Sequence, residues 1–280
     1  MITQLVAVTA AVAIAERRSG RLGSSTFAGR PQALLTRNGL ALRTSNALVF
    51  FTGFVEPVIY LIAFGYGVGG LIGSVEVAGQ TVPYAAFIAP ALLASSAMNG
   101  ALMDATFNVF FKMHFMKLYQ VMMSTSLGPL DVALGEISWA MIRGATYAVG
   151  FTIVAGAFGL LTTPWAVLMI PAAVLVAFAF AAVGMTLTSY MSSFQQMNWL
   201  QFALLPMFLF SGTFYPITMY PDWLQSIIMV TPLWQAIAMM RALAFGIFDG
   251  ALLVHVTYLL ALAIVGLLFT SRRMDALFLR

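Results

Sequence analysis

The stretch ALLVHVTYLLALAIVGLLFT, residues 251–270, is followed at once by Ser271, Arg272 and Arg273. It holds no Asp, Glu, Lys or Arg over a length that matches the roughly 20 apolar residues a helix needs to cross a bilayer. Lipid offers backbone N–H and C=O groups no partners, so such a run must satisfy them internally as a helix. Lys and Arg in short flanks are retained in the cytoplasm, so Arg272 and Arg273 place the end of this span inside.

Working outward, the whole chain carries the same signature. Of 280 residues, 61% are hydrophobic and 8% charged, far from the roughly 25% charged composition of a soluble domain. This predicts an all-α integral membrane protein with no room for a sizeable soluble domain. Eleven of the thirteen Lys and Arg residues fall in three clusters: Arg17, Arg18, Arg21, Arg30, Arg37 and Arg43; Lys112 and Lys117; Arg272, Arg273 and Arg280. If all three are cytoplasmic, an even number of spans separates each pair, which predicts a multi-pass plasma-membrane protein with both termini cytoplasmic. Arg143 and Arg241 are the two exceptions.

Six spans fit this constraint: about 46–65, 83–107, 135–160, 165–190, 199–213 and 251–270. An inner loop covers 108–134. Between 214 and 250, two apolar runs, 224–230 and 233–247, are each too short to cross and are bracketed by Pro221 and Pro232, so they read as re-entrant half-helices. Residues 1–30 read as a cytoplasmic tail, whose arginines follow rather than precede an apolar stretch, the reverse of a cleavable signal peptide. Residues 31–44, with Leu34, Leu35, Leu40, Leu42, Arg37 and Arg43, read as an amphipathic interfacial helix. The six-span core is then 45–271 and the C-terminal tail 272–280.

Composition excludes several functions. The basic balance is what positive-inside topology produces, so it does not argue for nucleic acid. With no Cys and two His, disulfides, thiolate sites and His-rich metal centres are excluded, and no metal or cofactor is expected on the chain. The few carboxylates are scattered and form no catalytic set with Ser or His. A Gly-x4-Gly-Lys-Ser/Thr run is absent, so ATP phosphates would have to be bound by another subunit. No internal repeat is visible, which weakens an inverted-repeat carrier.

Several short motifs occur in a fixed order. They are Glu56-Pro57 and Gly65-Tyr66-Gly67-Val68-Gly69 in and after the first span, and Ala89-Pro90-Ala91-Leu92-Leu93-Ala94 in the second. Next come Leu118-Tyr119-Gln120, Ser126-Leu127-Gly128-Pro129-Leu130-Asp131 and Gly135-Glu136, with Arg143-Gly144 beyond. Last are Phe210-Ser211-Gly212-Thr213-Phe214-Tyr215-Pro216, Tyr220-Pro221-Asp222-Trp223, Thr231-Pro232-Leu233 and Arg241. Over about 34–273 this combination resembles the permease subunits of type 2 ABC exporters. It is most similar in look to the lipo-oligosaccharide (nodulation-factor) and daunorubicin-type branches. The resemblance implies a half-transporter: two permease copies, as a homodimer or with a sister permease, and two cytoplasmic ATPase subunits that bind ATP and Mg. Together they would export a glycolipid, a lipo-oligosaccharide or a hydrophobic drug.

Individual residues then acquire candidate roles. Phe111, Phe115 and Leu118 at helical spacing, with Lys112, Lys117 and Tyr119, suit either an interfacial helix with snorkelling lysines or, by the resemblance, a coupling helix docked on the ATPase. Glu136 and Arg143 share one helix face about 10.5 Å apart, too far for a direct pair. Glu136 suits the dipole at a helix start. Arg143 is costly inside the bilayer unless it enters a network or snorkels to headgroups. Glu56 lies mid-span and faces a dimer seam or substrate path, or is a neutral hydrogen-bonded acid. Arg241 is expected to anchor the re-entrant region to Asp222, Asp249 or a lipid phosphate. Phe214, Tyr215, Pro216 and Trp223 form an outer-interface belt. The rival function is a proton- or ion-coupled carrier using Glu56 and Asp104.

Overall fold

The computed structural model describes residues 27, 29–44, 48–77, 79–125 and 127–278, with side chains of all but 42–54. The tail with Arg17, Arg18 and Arg21, the Arg43 side chain, Ser126 and Arg280 lie outside the described residues.

Helix α1, Gln32–Thr44, starts after Pro31, which pre-sets a helical φ. Leu34 and Asn38, one turn apart, are buried against the bundle, whereas Leu40 on the other side is exposed. Helix α2, Leu48–Ile62, continues through a wider π-wound stretch, Ala63–Val68, into the short α3, Gly69–Ile72. The Gly-rich loop expected next is a hairpin: β1, Ser74–Val77, pairs antiparallel with β2, Gln80–Pro83, and Gly79 at φ 78° supplies the turn. Helix α4, Tyr84–Met103, runs on through π-wound segments at Asp104–Asn108 and Phe111–Phe115. A left-handed Lys117, φ 49°, breaks the chain before α5, Leu118–Met123.

Helix α6, Pro129–Ala157, begins two turns earlier than the sequence suggested. Pro129 opens it, and Asp131 accepts from the Gly128 amide at 2.9 Å and from the Arg30 amide at 2.8 Å. Those bonds satisfy otherwise orphaned donors and fix the start. A single 3-10 turn, Pro164–Leu168, leads into α7, Met169–Tyr190. Helix α8, Gln196–Leu209, is followed by the bent pair α9, Asp222–Val230, and α10, Pro232–Phe245, and then by α11, Gly250–Phe278.

Helices α4 and α7 form the centre, with Ile88, Leu92 and Leu93 of one and the alanine run 172–182 of the other buried. Small side chains let backbones approach, the usual solution where helix contact gains no hydrophobic driving force in lipid. Gly144 of α6 faces Ala177, and Gly266 of α11 lies so close to Ala182 that an added Cβ would sit 2.9 Å from its backbone. The Thr186 hydroxyl donates to the Gly266 carbonyl at 2.8 Å and lies 2.8 Å from the Thr270 hydroxyl, joining α7 to α11 at the same place.

Among the described residues, five helical stretches are long and apolar enough to cross a membrane: 55–72, 84–115, 129–157, 164–190 and 250–278. The span expected at 199–213 is α8, whose 14 residues reach only about 21 Å. Beyond its end, the Phe214 carbonyl accepts from the Tyr84 hydroxyl at the first residue of α4. The pair α9 and α10 bends by 87° at Thr231–Pro232. It leaves from the Tyr84 level and returns to it, where the Ala244 carbonyl accepts from Thr162 and Thr163 just before α7. By length and composition the bent pair is either a broken span or the re-entrant pair expected from the sequence. Pro232 cannot continue the helix of α9, and the freed carbonyls are bonded by side chains: Gln235 to Met229 at 2.7 Å and the Tyr258 hydroxyl to Val230 at 2.8 Å.

Arg37, Lys112 and Arg273 all lie at the opposite end. Arg37 and Lys112 line one cavity, and Arg273 donates to the Ser189 carbonyl and covers the Tyr190 ring at the foot of α7.

Candidate functional site

Two neighbouring cavities share Arg143, and the larger lies between α2, α4, α6 and α8. The larger is an open groove of about 650 Å³, within the range of small-molecule sites. Pro57, Leu92, Met103, Leu204 and Phe208 supply its apolar wall, and Glu56, Asn99, Gln201 and Arg143 its polar groups. The smaller, about 250 Å³, lies at the basic end between α1, α4 and α6 and is lined by Arg37, Asn38, Asp104, Asn108, Lys112, Glu136 and Arg143. Arg143 lines both.

The partition between them is ionic. Arg143 Nη1 meets Asp104 Oδ1 at 2.5 Å, and the same oxygen accepts from Asn108 Nδ2 at 2.6 Å. Lys112 Nζ lies 2.7 Å from Glu136 Oε2, and the Tyr119 hydroxyl donates to Glu136 Oε1 at 3.2 Å. Glu136 and Arg143 therefore pair with other helices and not with each other. Both carboxylates are buried, Asp104 at 7% and Glu136 at 7% exposure, and charges so placed must be paired to persist. Sequence reasoning placed Glu136 at a helix start; with α6 beginning at Pro129 it sits two turns inside, and Lys112 rather than the helix dipole satisfies it.

The expected coupling helix is not one helix. Residues 111–115 belong to the end of the second long helix, and the break at Lys117 sets 118–123 apart. Tyr119, assigned to the docking face with Lys112, is fully buried, and Lys112 turns inward to Glu136. Burial first, then the Glu136 charge and hydrogen bond, hold the Tyr119 phenol well above its ordinary range, so it acts as a neutral donor. What stays outward is aromatic. Phe111 and Phe115 stack at 5.0 Å, both exposed, and Phe194 from the α7–α8 loop meets Phe111 at 5.9 Å. Lys117 is exposed beside them and Leu118 is half-buried. Phe194 was missed in the sequence because nothing local links it to residue 111, which lies 83 positions away.

At the other end, Arg241 does not reach Asp222 or Asp249. Its Nη2 donates to the Gly212 and Thr213 carbonyls at 2.7 and 3.1 Å, its Nε to the Phe87 carbonyl at 3.3 Å, and the guanidinium lies 3.8 Å over the Phe87 ring. Gly212 at φ 72° turns its carbonyl into this clamp. Phe214 packs on Phe64 at 4.8 Å, while Tyr215 and Trp223 are exposed, with Pro216 half-buried between. Burial, reinforced by Tyr215, pushes the Tyr220 phenol up to about 12.

A model of the ABC-2 type transporter family matches residues 32–245, which include both cavities and the Arg241 clamp. Nodulation protein J of Sinorhizobium fredii is 27% identical over 83% of this chain and 88% of its own length. Nodulation protein J of Rhizobium leguminosarum bv. viciae is 30% identical over 76% of this chain and 82% of its own, and that of bv. trifolii is 30% identical over 76% and 80%.

Proposed function

Because the chain belongs to the ABC-2 type transporter family, we propose that it is the membrane subunit of an ATP-driven exporter whose ATP is bound and hydrolysed, with Mg, on a separate cytoplasmic ABC subunit. It is a transport subunit, not an enzyme. The basic end faces the cytoplasm in this reading, since Lys and Arg flanks are held there.

The groove carries the proposal. A surface that sets Glu56, Asn99, Gln201 and Arg143 beside Leu92, Leu204 and Phe208 within the spanning helices suits neither lipid tails nor a packed core. It suits an amphipathic or lipid-linked solute, such as a glycolipid, a lipo-oligosaccharide or a hydrophobic drug, lying with its tail toward the apolar wall. Exposed Val55, Ile59, Trp199 and Phe202 on the flanking α2 and α8 favour a second permease copy that closes the open side. The Arg143–Asp104 and Lys112–Glu136 pairs serve as the inner gate, and the Phe111–Phe115–Phe194 patch is the ATPase docking surface, where closure of the ATPase pushes on the foot of the second long helix.

The test is purification of the tagged chain from native membranes with ATP hydrolysis assayed on what accompanies it. An ATPase subunit in equal amount is expected, lost when Phe111, Phe115 and Phe194 are changed to Ser while the chain stays folded. A chain that purifies alone and moves solute under a proton gradient would replace the proposal with the carrier reading.

A further inference from the structure

We propose that the groove selects amphiphiles whose head group is cationic, with Glu56 as the residue that reads it. The proposal rests on the groove being the substrate path.

The lining holds one acidic and one basic side chain, Glu56 and Arg143, and they differ in what holds them. Arg143 is neutralised from behind by Asp104, which lines the smaller cavity and not the groove. Glu56 is exposed, and among the described residues neither ion pair of the bundle includes it. The groove thus sets a Glu56 carboxyl that neither ion pair engages beside an Arg143 already held by Asp104, so a bound cation would find its complement at Glu56.

The chain has no Cys, so Leu205→Cys, exposed on the groove wall, gives a single reactive thiol. In phosphatidylcholine nanodiscs, its maleimide labelling is followed against three amphiphiles with one tail and three heads: dodecyltrimethylammonium, dodecyl maltoside and dodecyl sulfate. The ammonium amphiphile is expected to protect at about tenfold lower concentration than the sulfate, with the uncharged maltoside between them. That preference is expected to vanish in Glu56→Gln, to survive in Glu56→Asp, and to weaken with added salt in the parent chain. Equal protection by all three, or an ammonium preference that persists in Glu56→Gln, overturns the head-group assignment and leaves the groove as a path. No protection by any of them overturns both.

Discussion

Asp104 and Arg143 sit on different helices, 39 positions apart, and meet at 2.5 Å between the two cavities. Asp104 is the more buried partner, with 8% of its side chain exposed against 21% for Arg143. Removing the cation would leave a buried carboxylate uncompensated, whereas removing both charges would not. Arg143→Gln is therefore expected to destabilise the chain by about 3–5 kcal/mol, and Asp104→Asn with Arg143→Gln by clearly less. Thermal unfolding in detergent of the two single variants and the double variant checks this; additive losses would mean the pair is not coupled.

Close helix approach makes a second expectation. An alanine at 266 would place its Cβ 2.9 Å from the Ala182 backbone and also crowd the Thr186 bond to the Gly266 carbonyl, while one at 70 meets nothing within 4 Å. Gly266→Ala is expected to cost about 1–3 kcal/mol through overpacking, and Gly70→Ala far less. The comparison of melting temperatures for the two substitutions reads it directly.

The Arg241 clamp yields a third. Its planar fork holds two carbonyls of the turn at 212–213 and one of α4 at once, which a lysine ammonium cannot match in geometry. Arg241→Lys is expected to leave the bundle assembled but loosen 210–221, seen as faster proteolysis confined to that segment. Cleavage unchanged from the parent chain would show that the turn holds itself.

How much of this was legible in sequence follows from the range of each interaction. The span at 251–270 with Arg272 and Arg273 is a local, additive signal, and so are Pro221 and Pro232 bracketing two short runs. The family resemblance likewise rested on contiguous motifs. Partner choice is not local. That Glu136 would take Lys112 and Tyr119, that Arg143 would take Asp104, and that Phe194 would join Phe111 depends on how helices far apart in the chain come to lie together. The start of α6 was misplaced because the hydrophobic run begins near Gly135 while the cap at Gly128–Asp131 is polar and completed by Arg30, 101 positions from Asp131. Tyr119 was placed outward because a short helix with one apolar face gives no sign of which face is covered.

A last expectation concerns alkaline pH. The Tyr119 phenol is fully buried, and burial together with the Glu136 carboxylate raises its ionisation well above the ordinary value of 10. Below pH 10 the phenol is protonated in both folded and unfolded chains, so its hydrogen bond to Glu136 contributes in full. Above pH 10 the unfolded chain releases this proton while the folded chain keeps it, so stability falls as pH rises, by up to about 1.4 kcal/mol per pH unit, until the folded phenol also ionises. Tyr119→Phe removes that titration. Its melting temperature is expected to be lower than the parent's at neutral pH by a hydrogen bond's worth, about 1–3 kcal/mol with Glu136 as the charged acceptor, and to decline less steeply between pH 10 and 11. Identical slopes for the two proteins would mean that Tyr119 ionises no later when folded, and that its contact with Glu136 is open to solvent.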